Sequence, residues 1–234
     1  MSGKTAVVIG ATGGIGAAVA DTLETDGQFD RVVRFSRSAA SPVSVDLSSE
    51  SSIRDAAAWM KDNNLSPSMV FVATGLLHDG SRGPEKSLRQ LDSDWLVQNY
   101  QINAVAPALV AKHFLPLMDR NDRIRFAALS ARVGSISDNR LGGWYGYRAS
   151  KAALNMMIRN LSIEWSRKNA NAIIVALHPG TVDTALSEPF QSNVPDEQLF
   201  DSQRAARQLL TVLNGLKPAD SGKLFAWDGT EIQP

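Results

Sequence analysis

Residues 5–16 read TAVVIGATGGIG, a short apolar run that passes directly into a loop carrying Gly10, Gly14 and Gly16. An apolar run of this length, bounded by glycine, predicts a strand buried on both faces. Residues 14–25, GIGAAVADTLET, have the character of a helix that stops before Gly27. A buried strand that turns at once into a helix needs cover on both sides, and its next strand lies parallel to it. The same alternation continues along the chain. Strand-like runs lie at 31–36, 43–47, 69–75, 123–130, 171–180 and 222–228, and helical stretches at 51–62, 94–118, 145–168 and 201–216. This predicts an α/β fold of Rossmann type: one doubly wound domain over 1–234 with a mostly parallel, seven-stranded sheet flanked by helices. Ligands of such sheets sit beyond the carboxyl ends of the strands. That places the site at Gly10 onward, Ser36, Ala73 to Gly75, Ser130, and His178 onward.

Composition excludes several other kinds of function. Lys plus Arg and Asp plus Glu are both 24, so no excess of positive charge points to nucleic acid or an anionic membrane. There is no cysteine, and the three histidines (His78, His113 and His178) are too far apart to suggest a zinc site, so no metal is expected. No run of about 18 apolar residues is present. The N-terminus does not resemble a signal peptide, and a cytoplasmic protein is expected. At 44% hydrophobic and 21% charged over 234 residues, the chain can bury a full core in one domain.

A glycine loop between a strand and a helix lets backbone approach a pyrophosphate, while the helix N-terminus offers free N–H groups. The alternative is a merely tight turn. The spacing here, G-x-x-x-G-x-G, differs from the usual dinucleotide fingerprint. Residues 147–151 read YRASK, with a phenol and an ammonium four residues apart on one helix face. A phenol ordinarily titrates near pH 10, and a neighbouring ammonium favours the phenolate, so Tyr147 is expected below its usual range and able to exchange a proton near neutrality.

Together the glycine spacing and YRASK resemble the short-chain dehydrogenase/reductase family, over nearly the whole chain. Within it, GGWYGYRASKAALN (142–155), HPGTVDT (178–184) and GKLFAWDGTEI (222–232) are most similar to the C-factor-like branch of carbonyl reductases. The resemblance implies a cofactor half at about 1–120 and a catalytic and substrate half at about 121–234. It also implies a dinucleotide held by Gly10, Thr12, Gly14, Ile15 and Gly16, by Ala73, Thr74 and Gly75, and by Pro179, Gly180, Val182 and Thr184. In it, the Val182 backbone meets the nicotinamide carboxamide and Thr184 the pyrophosphate. Asp46 and Leu47 match a pair placed on the adenine, although Asp46 also suits a helix cap. Twenty residues past Gly16 stand Ser36 and Arg37, where an acid would favour NAD; a forked cation suits a 2′-phosphate, so NADP(H) is expected over NAD(H).

The catalytic set implied is Asn103, Ser130, Tyr147 and Lys151, with Lys151 also on the nicotinamide ribose. Pro107 lacks an N–H and so frees the Asn103 carbonyl to hold a water. Two departures stand out. Counted back from Gly134, the family's serine position is Ala131, which leaves Ser130 as the carbonyl donor and Ser135 in reserve. Val72-Ala73-Thr74-Gly75 replaces Asn-Asn-Ala-Gly, so the bracing there must differ. The segment 185–200, with two prolines and little periodicity, reads as a lid with Leu186, Phe190 and Val194 beneath it. Trp144, with Tyr145, is expected to line a pocket for a small to medium apolar aldehyde or ketone (or the matching alcohol). His78 reads as a solvated loop histidine. The apolar surface of 94–118 is compatible with a homodimer or homotetramer, and equally with packing on the sheet. The main alternative is a dinucleotide-binding sensor or signalling protein with little or no catalysis; nucleotide-sugar epimerase or dehydratase chemistry is disfavoured by the short chain after 185.

Overall fold

The computed structural model describes residues 3–38, 40–192 and 194–234. Its strands are β1 (Thr5–Ile9), β2 (Arg31–Phe35), β3 (Pro67–Val72), β4 (Arg125–Leu129), β5 (Ile173–His178), β6 (Thr181–Val182), β7 (Leu199–Phe200), β8 (Leu224–Ala226) and β9 (Glu231–Ile232). The helices are α1 (Gly14–Thr25), α2 (Glu50–Asp62), α3 (Ser93–Tyr100), α4 (Ala106–Phe114), α5 (Tyr145–Ser166) and α6 (Ser202–Gly215). Seven strands form the main sheet in the order β2-β1-β3-β4-β5-β8-β9. All neighbours are parallel except β8 and β9, which close the sheet as an antiparallel pair.

Strand periodicity divides the core. Val7, Ile9, Val70 and Ile174 face the side covered by α2, α4 and α5, while Ala6, Val8, Phe71 and Val175 face α1 and α6. Both faces are dry, which is why the strands read as unbroken apolar runs.

Three elements differ from the sequence expectation. The run 43–47 is not a strand; it touches the sheet through a single parallel bridge, Ser36 to Ser44. Serine hydroxyls meet the backbone groups that a ladder would have used: Ser41 Oγ donates to Val43 O (2.5 Å), and Ser52 Oγ accepts from Asp46 N (2.9 Å) and donates to Ser44 O (3.1 Å). The seventh strand is supplied instead by β9. The long helix expected over 94–118 is divided by a π-helical turn at Gln101–Val105, immediately before Pro107, and ends in a 3₁₀ turn at Leu115–Leu117. The proline removes one donor from the ladder, and the wider turn re-registers the helix around the gap. The segment 185–200 holds two 3₁₀ turns, Glu188–Phe190 and Asp196–Gln198, and its end pairs with β6 through β7.

Candidate active site

The glycine loop folds tightly over the end of β1. Gly10 has φ +86°, a conformation that favours glycine, and its N–H and that of Ala11 both donate to Phe35 O (2.9 and 3.2 Å). A Cβ on Gly16 would collide with the carbonyl of Gly10, so Gly16 sets how closely α1 packs on the loop. This glycine therefore shapes the loop. Gly13 caps α1 with no side chain on the first-turn N–H groups, and the first turn carries no acid. The positive end of the helix thus stays open to an anion.

A cavity of about 410 Å³ runs across the strand ends. Gly10, Thr12, Ser36, Arg37, Asp46, Leu47, Ala73, Thr74 and Gly75 all line it, as the sequence led us to expect. Val45, Leu76, Gln98 and Ile102 line it too, and nothing in their residue types foretold this. Ser36 is buried, with its hydroxyl toward Ser38 Oγ at 3.2 Å, while Arg37 is exposed at the rim. The Asp46 carboxyl is held below its usual range, chiefly because Ser48 N–H and Oγ donate to it (2.9 and 2.8 Å) and then because Arg37 is near. The N-cap of α2 is Ser49, so Asp46 is free of that duty. These residues fit a dinucleotide. Thr74 Oγ1 is buried without a partner among the described residues, and a Cβ on Gly14 would stand 2.7 Å from Thr184 Cγ2. Glycine at residue 14 thus lets Thr184 and Ser202 close in on the start of α1.

A smaller cavity of about 210 Å³ continues from the loop to α5, lined by Gly14, Ile15, Ser130, Tyr147, Lys151, Pro179 and Thr184 among others. Tyr147 and Lys151 lie one turn apart on α5, both buried, with Lys151 Nζ 5.6 Å from the phenol ring centre. Lys151 Nζ donates to Leu129 O at 2.8 Å. The expected acidification of the phenol is not found in the protein alone. Burial pushes Tyr147 up to about 12 and Lys151 down to about 7. Desolvation opposes charge on either group, and it outweighs their mutual attraction here.

Asn103 is fully buried in the π turn. Its Oδ1 accepts from Leu76 N (2.7 Å), and its Nδ2 donates to Leu76 O (2.8 Å) and Ser150 Oγ (3.0 Å). The bracing lost at 72–75 is thus recovered from across the cleft, helped by Ala73 N on Ile9 O (2.8 Å). Gly75 lies beside both partners: a Cβ there would be 3.6 Å from Lys151 Nζ and 3.7 Å from Asn103 Oδ1.

Ser130 reaches the cavity wall, but its hydroxyl donates to Asn155 Oδ1 at 2.8 Å. Ser135 is turned into its own loop, accepting from Asp138 N at 3.1 Å, and is absent from the pocket walls described here. Ala131 is the residue that faces Tyr147, inside a small apolar cluster with Leu77.

That cluster opens into a third cavity of about 340 Å³. Trp144, Leu186, Phe190 and Val194 line it as expected, with Gly180 and Val182 at its floor. Tyr145 does not; it is exposed on the outer side of α5. His78 is partly buried and held in place: Nε2 lies 3.0 Å from Ala185 O and the ring meets Phe190 edge-on. His178 lines the cavity at the carboxyl end of β5, where the sequence placed the site, whereas Arg132 and Val133 were missed; their place just past the carboxyl end of β4 was the available signal. Burial first, and Arg132 second, hold His178 down at about 4, so it is a neutral imidazole.

Residues 4–195 match the family model described as short chain dehydrogenase. The chain belongs to that family. Among curated relatives, 1-hydroxy-2-glutathionyl-2-methyl-3-butene dehydrogenase of Rhodococcus sp. (strain AD45) is 28% identical over 237 residues, covering 98% of this chain and 99% of that protein. C-signal of Myxococcus xanthus is 34% identical over 146 residues, 62% of this chain and 82% of that protein. NADPH-bound carbonyl reductase from chicken fatty liver superposes with a TM-score of 0.86 at 23% identity over 99% of both chains. Carbonyl reductase Sniffer of D. melanogaster does so with a TM-score of 0.84 at 21% identity, again over 99% of both. At these identities the two structures speak for the short-chain dehydrogenase fold. No helix among the described residues is long and apolar enough to cross a membrane.

Proposed function

We propose that this protein is an NADP(H)-dependent reductase of small to medium, mainly apolar aldehydes or ketones, acting in the cytoplasm. The observation that carries this reading is the position of Tyr147. It lines both the cavity that continues from the glycine loop and the apolar cavity beneath Trp144, Leu186 and Phe190. A dinucleotide, when bound, supplies the hydride. Tyr147 holds the proton that the resulting alkoxide takes, and Lys151, fixed on Leu129 O, stands behind the phenol and beside the ribose position. The Asn103 carbonyl holds the water that returns a proton toward Lys151. Ser130 donates to the substrate carbonyl once Asn155 releases its hydroxyl. Burial keeps the Tyr147 phenol protonated at neutral pH, and an alkoxide is a strong enough base to take that proton. Arg37 and Ser36 at the rim support NADP(H), and the chicken carbonyl reductase of like fold was crystallised with NADPH. Residues 185–200 act as a lid over the substrate, held at one end by His78.

A second reading, a dinucleotide-binding signalling protein with weak catalysis, draws on Ala131, on the commitment of Ser130 to Asn155, and on the similarity to C-signal. One experiment separates the two. NADPH and NADH oxidation is followed at 340 nm (about the nicotinamide absorbance maximum) against aldehydes, ketones and diketones, with Tyr147→Phe alongside. The expected result is turnover favouring NADPH that falls by about 10²- to 10⁴-fold in the variant. Equal rates in both proteins would reject Tyr147 as the proton donor. Binding of NADPH without turnover would favour the signalling reading.

A further inference from the structure

Helix α5 carries the reactive pair, yet it begins without the usual devices. Its N-cap is Trp144, which makes no side-chain cap bond, and the first turn holds no acid. Trp144 has φ 51° and ψ 43°, and Gly142 and Gly143 before it also have positive φ (+64° and +63°). Three successive left-handed residues are unusual, and for a bulky side chain the conformation is costly. Something outside the helix must hold it.

That group is Glu85, sixty positions earlier on the loop after β3. Its backbone oxygen accepts from Trp144 N at 2.5 Å, and its Oε2 accepts from Gly146 N at 3.1 Å. The residue is 3% exposed, and Oε1 has no hydrogen-bond partner among the described residues. A buried carboxyl group is expensive unless donors meet it. Here the donor is a backbone N–H at the start of a 22-residue helix that has no side-chain cap of its own. The approach depends on Gly146: a Cβ there would stand 3.0 Å from Oε1 and 3.1 Å from Leu96 Cδ2. Held in this way, the Trp144 ring meets Phe190 at 5.2 Å and Tyr147 at 6.3 Å, both edge-on, and forms one wall of the substrate cavity.

We propose that Glu85 is a positioning residue of this site, which caps α5 from a distance, locks Trp144 in its left-handed turn and so fixes the size of the pocket around Tyr147. The proposal rests on reading that pocket as the carbonyl site, but its test does not depend on turnover alone. The emission of Trp144 is obtained as the difference between proteins with and without Trp144→Phe, which cancels the other four tryptophans. Glu85→Ala is expected to shift that emission. It should raise KM for a phenyl-sized ketone at least about tenfold, with kcat changed less than about threefold and NADPH affinity unchanged, since the indole wall and not the cofactor cleft is released. Glu85→Gln, which keeps an acceptor for Gly146 N, should stay within about threefold of wild type in KM. If Glu85→Ala does not fold, Glu85→Asp takes its place under the same criteria, because the shorter side chain withdraws from Gly146. Unchanged Trp144 emission in that variant overturns the proposal, whether or not stability or kcat falls, because a purely structural carboxylate would act without moving the indole. A wild-type protein with no turnover would remove the carbonyl reading, and the emission comparison would then decide the positioning role by itself.

Discussion

Ala131 packs beside Tyr147 at the position the sequence aligns with the family's serine, and the hydroxyl of the preceding residue, Ser130, is turned to Asn155. Ala131→Ser should therefore raise kcat for carbonyl reduction, by up to about 100-fold if no other donor serves, because one such donor is worth about 3 kcal/mol. A kcat within twofold of wild type would show that Ser130 or another group already does this work. The vacancy was readable from sequence because it needs only a count back from Gly134. The pairing of Tyr147 with Lys151 was readable for a similar reason, since i and i+4 share a helix face in any helix. The proton affinity of that pair was not. It depends on Leu129, Leu77 and Gly75 closing around the two side chains, and those residues come from strands and loops distant in the chain.

At the scale of elements, the approach of the 3₁₀ turn Arg132–Gly134 to α5 is set by a single residue. A Cβ on Gly134 would lie 2.8 Å from Lys151 Cβ and 2.9 Å from its carbonyl carbon. Gly134→Ala should destabilise the fold by about 1–3 kcal/mol, as overpacking does. It should also depress kcat by displacing Lys151. Urea denaturation and steady-state kinetics check both effects, and a stable, fully active variant would contradict the contact. Long periodic elements were legible in the sequence: α5 and α6 lie within two residues of expectation. Failures came where side chains compete for backbone. Serines at 41, 44 and 52 dissolved the strand expected at 43–47, and Pro107 turned an apparently continuous helix into two helices joined by a π turn. Gly146 has its reason in Glu85 and in α3, whose Leu96 also approaches it, and neither is near it in the chain.

For the whole molecule, the buried ammonium makes stability depend on pH. Lys151 is lowered to about 7 in the fold, whereas an unfolded lysine titrates near about 10.4. Between those values the unfolded chain binds more protons, so this group's contribution to stability rises with pH; below about 7 its full penalty is present. Lys151→Met should be more stable than wild type at pH 7, with the gap narrowing toward pH 10. Parallel melting curves across that range would refute the burial. The fold class itself was the most legible property of all, because alternating buried strands and helices leave few topologies open. One feature of the cleft has a mechanical side. Asn103 takes both the N–H and the C=O of Leu76, much as an adjacent strand would, although Leu76 belongs to no strand. The same amide holds Ser150 on the helix of Tyr147 and Lys151. One amide therefore ties the loop after β3 to the helix of Tyr147 and Lys151, so a shift of that loop would be felt at the pair.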